Sequence, residues 1–197
     1  MGTQICLSYA FGSDPELACQ NTVKAVSDLL IGVPIDHYIA LDMDGMSLLN
    51  DALGGVTVTL EEDFSDMDPA MTVGSTIRLQ GQQAEYFLRG RMTVGDGTNK
   101  SRMTRQAAFM EAAADLLYDQ MSADADFINQ LLNALEAHLV TSCESGWLIS
   151  QAYTAHKYTR TEPIRLAGEH TVGSDGFVEF HPDSNALMTY VIDTFCK

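Results

Sequence analysis

Positive charge is scarce in this chain. Eleven Lys and Arg residues face 27 Asp and Glu, for a formal net charge of −16 over 197 residues. A surface this acidic argues against general binding to nucleic acid or anionic membranes, which calls for a cationic face. Cysteine is scarce as well. Cys6, Cys19, Cys143 and Cys196 show no CxxC spacing, and the five histidines form neither HxxxH nor HxH, so no zinc motif is present. Isolated thiols are the simplest reading. If the protein works outside the membrane, three pairings are conceivable, and Cys6 with Cys19 and Cys143 with Cys196 is the expected one. The longest apolar run near the start, Leu29 to Val33, is far short of the ~20 residues of a membrane helix. There is no internal repeat, low-complexity tract or Gly/Ser linker. With 46% hydrophobic residues, residues 1–197 read as one domain, long enough to bury a core without disulfides or metals.

What is present is an alternation of helices and strands. Asp14 then Pro15 suits a helix start, with Cys19, Val23, Val26 and Leu30 on one face and Gly32 and Pro34 as its end. Ile35 to Leu41 alternates as a strand. Asp44 is the expected cap of a second helix with Met46, Leu48, Leu49 and Leu53 as its stripe, stopped by Gly54-Gly55. Val56 to Leu60 is a Thr/Val strand, and Glu61 to Gly74 an acidic loop whose Glu61, Glu62, Asp63, Asp66 and Asp68 read as a solvated charge run, with cation binding as the alternative. A short helix near Gln80 to Leu88 precedes an extended Arg89-Gly90-Arg91 and a turn at Gly95-Asp96-Gly97. A long helix over 101–120 is expected to bury Met103, Ala107, Met110, Ala114 and Leu117. Further helices are expected over 126–139, 144–156 and 182–195, and strands over 164–166 and 177–180. The alternation indicates the α/β class.

The eleven cations are unevenly placed. Arg78, Arg89, Arg91, Lys100, Arg102 and Arg105 fall in one 28-residue window with only two acids, Glu85 and Asp96. That window is net +4, while five cations face 25 acids elsewhere. In an extended segment, Arg89 and Arg91 point to the same side. On a helix, Arg102 and Gln106 share a face with Arg105 beside them, near the end whose free N–H groups and dipole favour an anion. Guanidinium groups match phosphate oxygens with paired planar donors. The alternative is pairing of these arginines with acids such as Glu111 or Asp115. Arg at a helix N-terminus opposes the dipole and calls for a compensating anion, and acids at i+6 and beyond are poorly placed to be one.

Several strings resemble one family. Ile35-Asp36-His37-Tyr38-Ile39-Ala40-Leu41-Asp42 followed by Leu53-Gly54-Gly55-Val56 is similar to the "IDhYv…vD…lvdalGGV" of LytR-CpsA-Psr proteins. Leu79-Gln80-Gly81-Gln82-Gln83-Ala84 and Tyr86 through Arg91 resemble "LnGeqAlayvRyR". Arg102 through Gln106 matches "RxxRQ", and Tyr9-Ala10-Phe11-Gly12 resembles "AyafGG". The order and spacing together make the resemblance specific across essentially the whole chain, as the C-terminal two-thirds of such a domain. It implies a mixed central β-sheet flanked by helices on both faces. It also implies membrane-anchored, extracytoplasmic proteins of the Gram-positive cell envelope, known too as cell-envelope-related transcriptional attenuators. These are phosphotransferases of cell wall biogenesis. They move a glycopolymer, such as teichoic acid, from an undecaprenyl-pyrophosphate carrier onto a peptidoglycan hydroxyl, with Mg²⁺ assisting.

By motif, Arg89, Arg91, Arg102, Arg105 and Gln106 would hold the pyrophosphate. Arg89 and Arg91 would act in catalysis, with Asp96 orienting an arginine or the acceptor. The anchor, the first strands, an "RD" arginine and the aspartates that hold Mg²⁺ are expected upstream of residue 1. The metal ligands are therefore unassigned in this chain. Two other functions compete with the transferase reading: a non-catalytic module binding polyprenyl pyrophosphate or another anionic envelope ligand, and a structural domain whose arginines pair internally. Pyrophosphatase activity would separate the first from the transferase. Because the expected missing strands would leave a sheet edge or apolar face open, self-association is predicted. Light scattering at high protein concentration should report a homo-oligomer, and a clean monomer counts against it.

Overall fold

The computed structural model describes residues 5–91, 94–155, 157–158, 164–173, 176 and 178–196, without the Cys6 side chain. In chain order the elements are α1 (Ile5–Ser8), α2 (Pro15–Leu29), β1 (Ile39–Leu41), α3 (Met43–Ala52), β2 (Thr57–Thr59), β3 (Thr76–Arg78), α4 (Gln82–Arg89) and α5 (Asn99–Ala123). There follow α6 (Phe127–Leu135), β4 (Leu139–Thr141), α7 (Ser145–Ala155), β5 (Gly168–Val172), β6 (Val178–Pro182) and α8 (Ser184–Phe195). The mixed α/β class holds. Among the described residues the strands pair two by two: β1 with β4, and β2–β3 and β5–β6 as antiparallel ladders. The chain divides into two compact units, one of residues 1–40, 140–143 and 159–197, the other of residues 41–139 and 144–158.

In the first unit, Asp14 caps α2 by accepting from the Leu17 N–H at 2.8 Å, with Pro15 at the first helical position. Ala18 and Cys19 are its buried residues. The strand expected over 35–41 begins only at Ile39. Just before it, Tyr38 has its N–H on Ser142 Oγ at 3.0 Å and its carbonyl accepting from Thr141 Oγ1 at 2.9 Å. Side chains thus satisfy backbone groups that a ladder would otherwise use. The strand expected at 164–166 lies instead at β5, where Thr171 and Val172 pair with Glu179 and Val178. Asp183 caps α8 by accepting from the Asn185 and Ala186 N–H groups, and the helix buries Leu187 and Val191. Cys143 and Cys196 are free thiols, so that expected disulfide does not form; Cys19 is free too, and the Cys6 side chain of the other expected pair lies outside the described residues.

The second unit holds the main apolar core, built from Leu53, Val56, Leu60, Phe64, Met71, Leu79, Phe87, Val94, Phe109 and residues of α6. α3 packs on α4 and α6, α5 packs on α4, β2 and α6, and α7 packs on α6. Asp42, not Asp44, caps α3, accepting from the Gly45 N–H at 2.7 Å. That bond, together with His138 Nδ1 at 2.9 Å, holds the Asp42 carboxyl below the usual carboxylate range. The acidic segment 61–74 is not simply solvated: Phe64 and Met71 are fully buried. They return the chain to β3, which pairs Ile77 with Val58. β3 was not foreseen, because three residues after Gly74-Ser75 are too few to show alternation.

The long helix turns inward a face that meets the expected one only toward its far end, where Leu117 packs against the core. Met103 and Met110 are 56% and 57% exposed, whereas Arg105, Phe109, Ala113 and Met121 are buried. Counting apolar residues alone skipped the arginine that begins the true stripe.

Asn50 joins three elements. It is fully buried, with Oδ1 accepting from the Val56 N–H at 2.9 Å and Nδ2 donating to the Leu79 carbonyl at 2.9 Å. Asn50→Ala leaves both backbone groups buried and unpaired, at a cost of about 3 kcal/mol. Urea unfolding should show a lower midpoint with an unchanged slope.

Candidate functional site

The cationic window spans the end of α4 and the start of α5, both in the second unit. α4 buries Ala84, Phe87 and Leu88 and leaves Arg89 on its last turn, where a cation suits the dipole. Arg89 Nη1 donates to Glu85 Oε1 at 2.8 Å, and the Arg89 side chain is 64% exposed. Such an i,i+4 surface pair holds the arginine only weakly. The helix continues through Arg89, so the continuous extended Arg89-Gly90-Arg91 run does not form. Gly90 is buried, and a Cβ there would stand 2.8 Å from the Tyr86 carbonyl and 2.9 Å from the Phe64 ring.

Arg91 is exposed, and its Nε donates to the Gly97 carbonyl at 3.3 Å, one residue before the cap of α5. That cap is Thr98, accepting from the Ser101 N–H at 3.2 Å. Asp96 Oδ1 accepts from the Thr98 N–H at 2.8 Å. The Thr98 side chain and N–H hold its carboxyl below the usual carboxylate range, so Asp96 is ionised at neutral pH. Lys100 is exposed on the first turn. Arg102 Nη2 donates to Asn99 Oδ1 at 2.6 Å, while its Nε is buried with no hydrogen-bond partner. A buried donor without an acceptor is costly, and a ligand oxygen would satisfy it.

Arg105 and Gln106 are held by protein. Arg105 is 8% exposed. Its Nε donates to the Phe87 carbonyl at 3.0 Å and its Nη2 to the Gly90 carbonyl. Its Nη1 donates to Ser101 Oγ at 2.9 Å and to Glu62 Oε2, and the guanidinium carbon lies 5.3 Å from the centre of the Phe64 ring. Gln106 Nε2 donates to the Leu88 carbonyl at 3.1 Å. The orphan carbonyls at the end of α4 are thus filled by side chains from the start of α5. Glu62 also accepts from Ser101 Oγ and lies where a Cβ on Gly95 would be, a residue with φ +58°. A cleft of about 300 Å³ opens here, with Glu61, Asp96, Lys100, Thr104 and the Glu62–Arg105 pair in its wall.

Two groups of sequence-predicted residues therefore emerge. Arg89, Arg91, Lys100 and Arg102 keep donors that are loosely held or unpartnered. Arg105 and Gln106 are engaged by protein. Sequence reading missed Glu62, although the need for an anion near an arginine at a helix start was its signal. Among the described residues, no three His, Cys, Asp or Glu side chains stand together as metal ligands.

The LytR_cpsA_psr family model matches residues 2–189. A polyisoprenyl-teichoic acid–peptidoglycan teichoic acid transferase TagU of Halalkalibacterium halodurans is 35% identical over 105 residues, covering 53% of this chain and 32% of that protein. The TagV transferase of Bacillus subtilis is 25% identical over 196 residues, covering 94% of this chain and 47% of that protein. The chain thus spans a third to a half of the length of these curated relatives. The crystal structure of B. subtilis TagV superposes with a TM-score of 0.75 at 20% identity, over 97% of this chain and 74% of that one.

Removing one partner of a buried ion pair strands the other charge, so Arg105→Ala should cost about 3 kcal/mol. A thermal melt should show a clear drop in midpoint. Arg89→Ala, at an exposed pair, should leave stability within about 1 kcal/mol of the parent and that midpoint nearly unchanged.

Proposed function

Because this chain belongs to the LytR_cpsA_psr family, we propose that it serves in transferring a cell-wall glycopolymer from a polyprenyl-pyrophosphate carrier to peptidoglycan. The arginines around the start of α5 hold the pyrophosphate. The protein acts on the extracytoplasmic side of the envelope. The observation that carries this reading is the buried, unpartnered Nε of Arg102 on the first turn of α5, a helix whose start Arg91 reaches through the Gly97 carbonyl. Donors and dipole there favour the same ligand, an oxyanion.

In the reaction, an acceptor sugar hydroxyl attacks the phosphorus that bears the glycopolymer. The phosphorus–oxygen bond to the lipid phosphate breaks, a phosphodiester forms, and polyprenyl phosphate leaves as the hydroxyl proton is released. Arg89, Arg91 and Arg102 neutralise the charge that gathers on the departing phosphate. Asp96, ionised and in the cleft wall, has a carboxylate oxygen to accept from the acceptor hydroxyl and orient it.

Calorimetric titration of the chain with a polyprenyl pyrophosphate, with and without Mg²⁺, tests the assignment. Arg102→Ala and Arg89→Ala should each weaken binding about tenfold, the loss of one charge-assisted hydrogen bond. Parent-like affinity in both variants would sink it.

A further inference from the structure

We propose that Glu62 is the positioning residue of the anion site, acting through Arg105, and that Arg105 does not itself touch the ligand. This rests on the reading of Arg89, Arg91 and Arg102 as the pyrophosphate ligands. Glu62 lies in the segment after β2, 27 positions before the first of those arginines in sequence, and belongs to none of the motifs that mark the site.

The geometry of one carboxylate carries the argument. Oε1 accepts from Ser101 Oγ on the first turn of α5, and Oε2 accepts from Arg105 Nη1. The same carboxylate abuts Gly95 in the turn that leads to the Thr98 cap. Through Arg105 it reaches the Phe87 and Gly90 carbonyls at the end of α4. Glu62 therefore connects three segments around these arginines: the end of α4, the turn at Gly95 and the first turn of α5. The side chains of Arg105 and Glu62 are only 9% and 15% exposed. All three guanidinium nitrogens of Arg105 already donate to protein, which leaves it poorly placed to grip phosphate.

The electrostatics agree. A cation at a helix start opposes the dipole, and Glu62 cancels that opposition inside the protein. The positive field left at the surface then comes from the helix end, Arg91 and Arg102. Lys cannot replace Arg105. An ammonium group is a point charge and cannot reach two carbonyls, a hydroxyl and a carboxylate in the planes the fork serves.

The test uses the 197-residue chain, inorganic pyrophosphate as the titrant at two salt concentrations, and hydrogen exchange over Phe87–Arg91 and Val94–Arg102. Measurements are made where circular dichroism reports a fully folded protein. Glu62→Gln and Arg105→Lys should each weaken binding about tenfold, as loss of a supporting residue does. Both should keep the parent's salt dependence, because no ligand-contacting charge is lost, and both should speed exchange in those two segments. Arg102→Ala should flatten the salt dependence. Parent-like affinity in Glu62→Gln, or Arg105→Lys binding within about twofold of the parent, overturns the proposal. If either variant fails to fold, Ser101→Ala decides. It removes one of the Glu62 contacts, and should weaken binding about threefold with faster exchange; no change in either overturns the proposal. If the parent itself does not bind pyrophosphate, the ligand assignment fails, and the exchange comparison still tests the positioning role. Unchanged exchange in Glu62→Gln then sinks it.

Discussion

The ion pair between Glu62 and Arg105 is the constraint around which the second unit is organised. Burying a carboxylate and a guanidinium costs several kcal/mol per ion and is offset only when the remaining donors and acceptors are satisfied. Here they are, by Ser101 Oγ and by the Phe87 and Gly90 carbonyls. The Phe64 ring covers one face of the guanidinium. The arrangement dictates its neighbours. Gly90 must lack a side chain so that Phe64 can lie against it, and Gly95 must yield space to the carboxylate. The segment 61–74 must fold inward on Phe64 and Met71 to deliver Glu62.

That pair divides the arginines by role. A cluster of like charges in a short window repels itself unless some members are neutralised. Arg105 is neutralised in the interior, and Arg89 is loosely paired at the surface. Arg91 and Arg102 hold onto a carbonyl and an amide, groups that leave their charge intact. The result is a short positive edge around one helix end on a protein that is otherwise acidic, a setting that concentrates a multiply charged anion at one place.

Much of the fold was legible because it depends on local chemistry. The Asp14–Pro15 start of α2 and the Gly54-Gly55 stop of α3 are short-range signals, and each element lies within a few residues of its expected place. Signals went astray where a longer-range partner decided. Asp42 took the cap from Asp44, in a position where it also meets His138 from 96 residues away. The strand expected from Ile35 was cut to three residues because Thr141 and Ser142 satisfy Tyr38. The inward face of α5 rotated because its first buried residue is charged, and no apolar count includes an arginine.

The site divides in the same way. Residue order alone establishes the concentration of cations between Arg78 and Arg105, the spacing of the two arginine motifs, the helix that begins beside them and, through the motifs, the family. These are properties of composition and near neighbours, which the chain carries whether or not it is folded. Which arginine is exposed and which is buried was decided only by tertiary structure. A guanidinium is buried or exposed according to whether a carboxylate meets it. The one that meets Arg105 is 43 residues distant along the chain, in a segment that reads as solvated loop until Phe64 and Met71 draw it into the core.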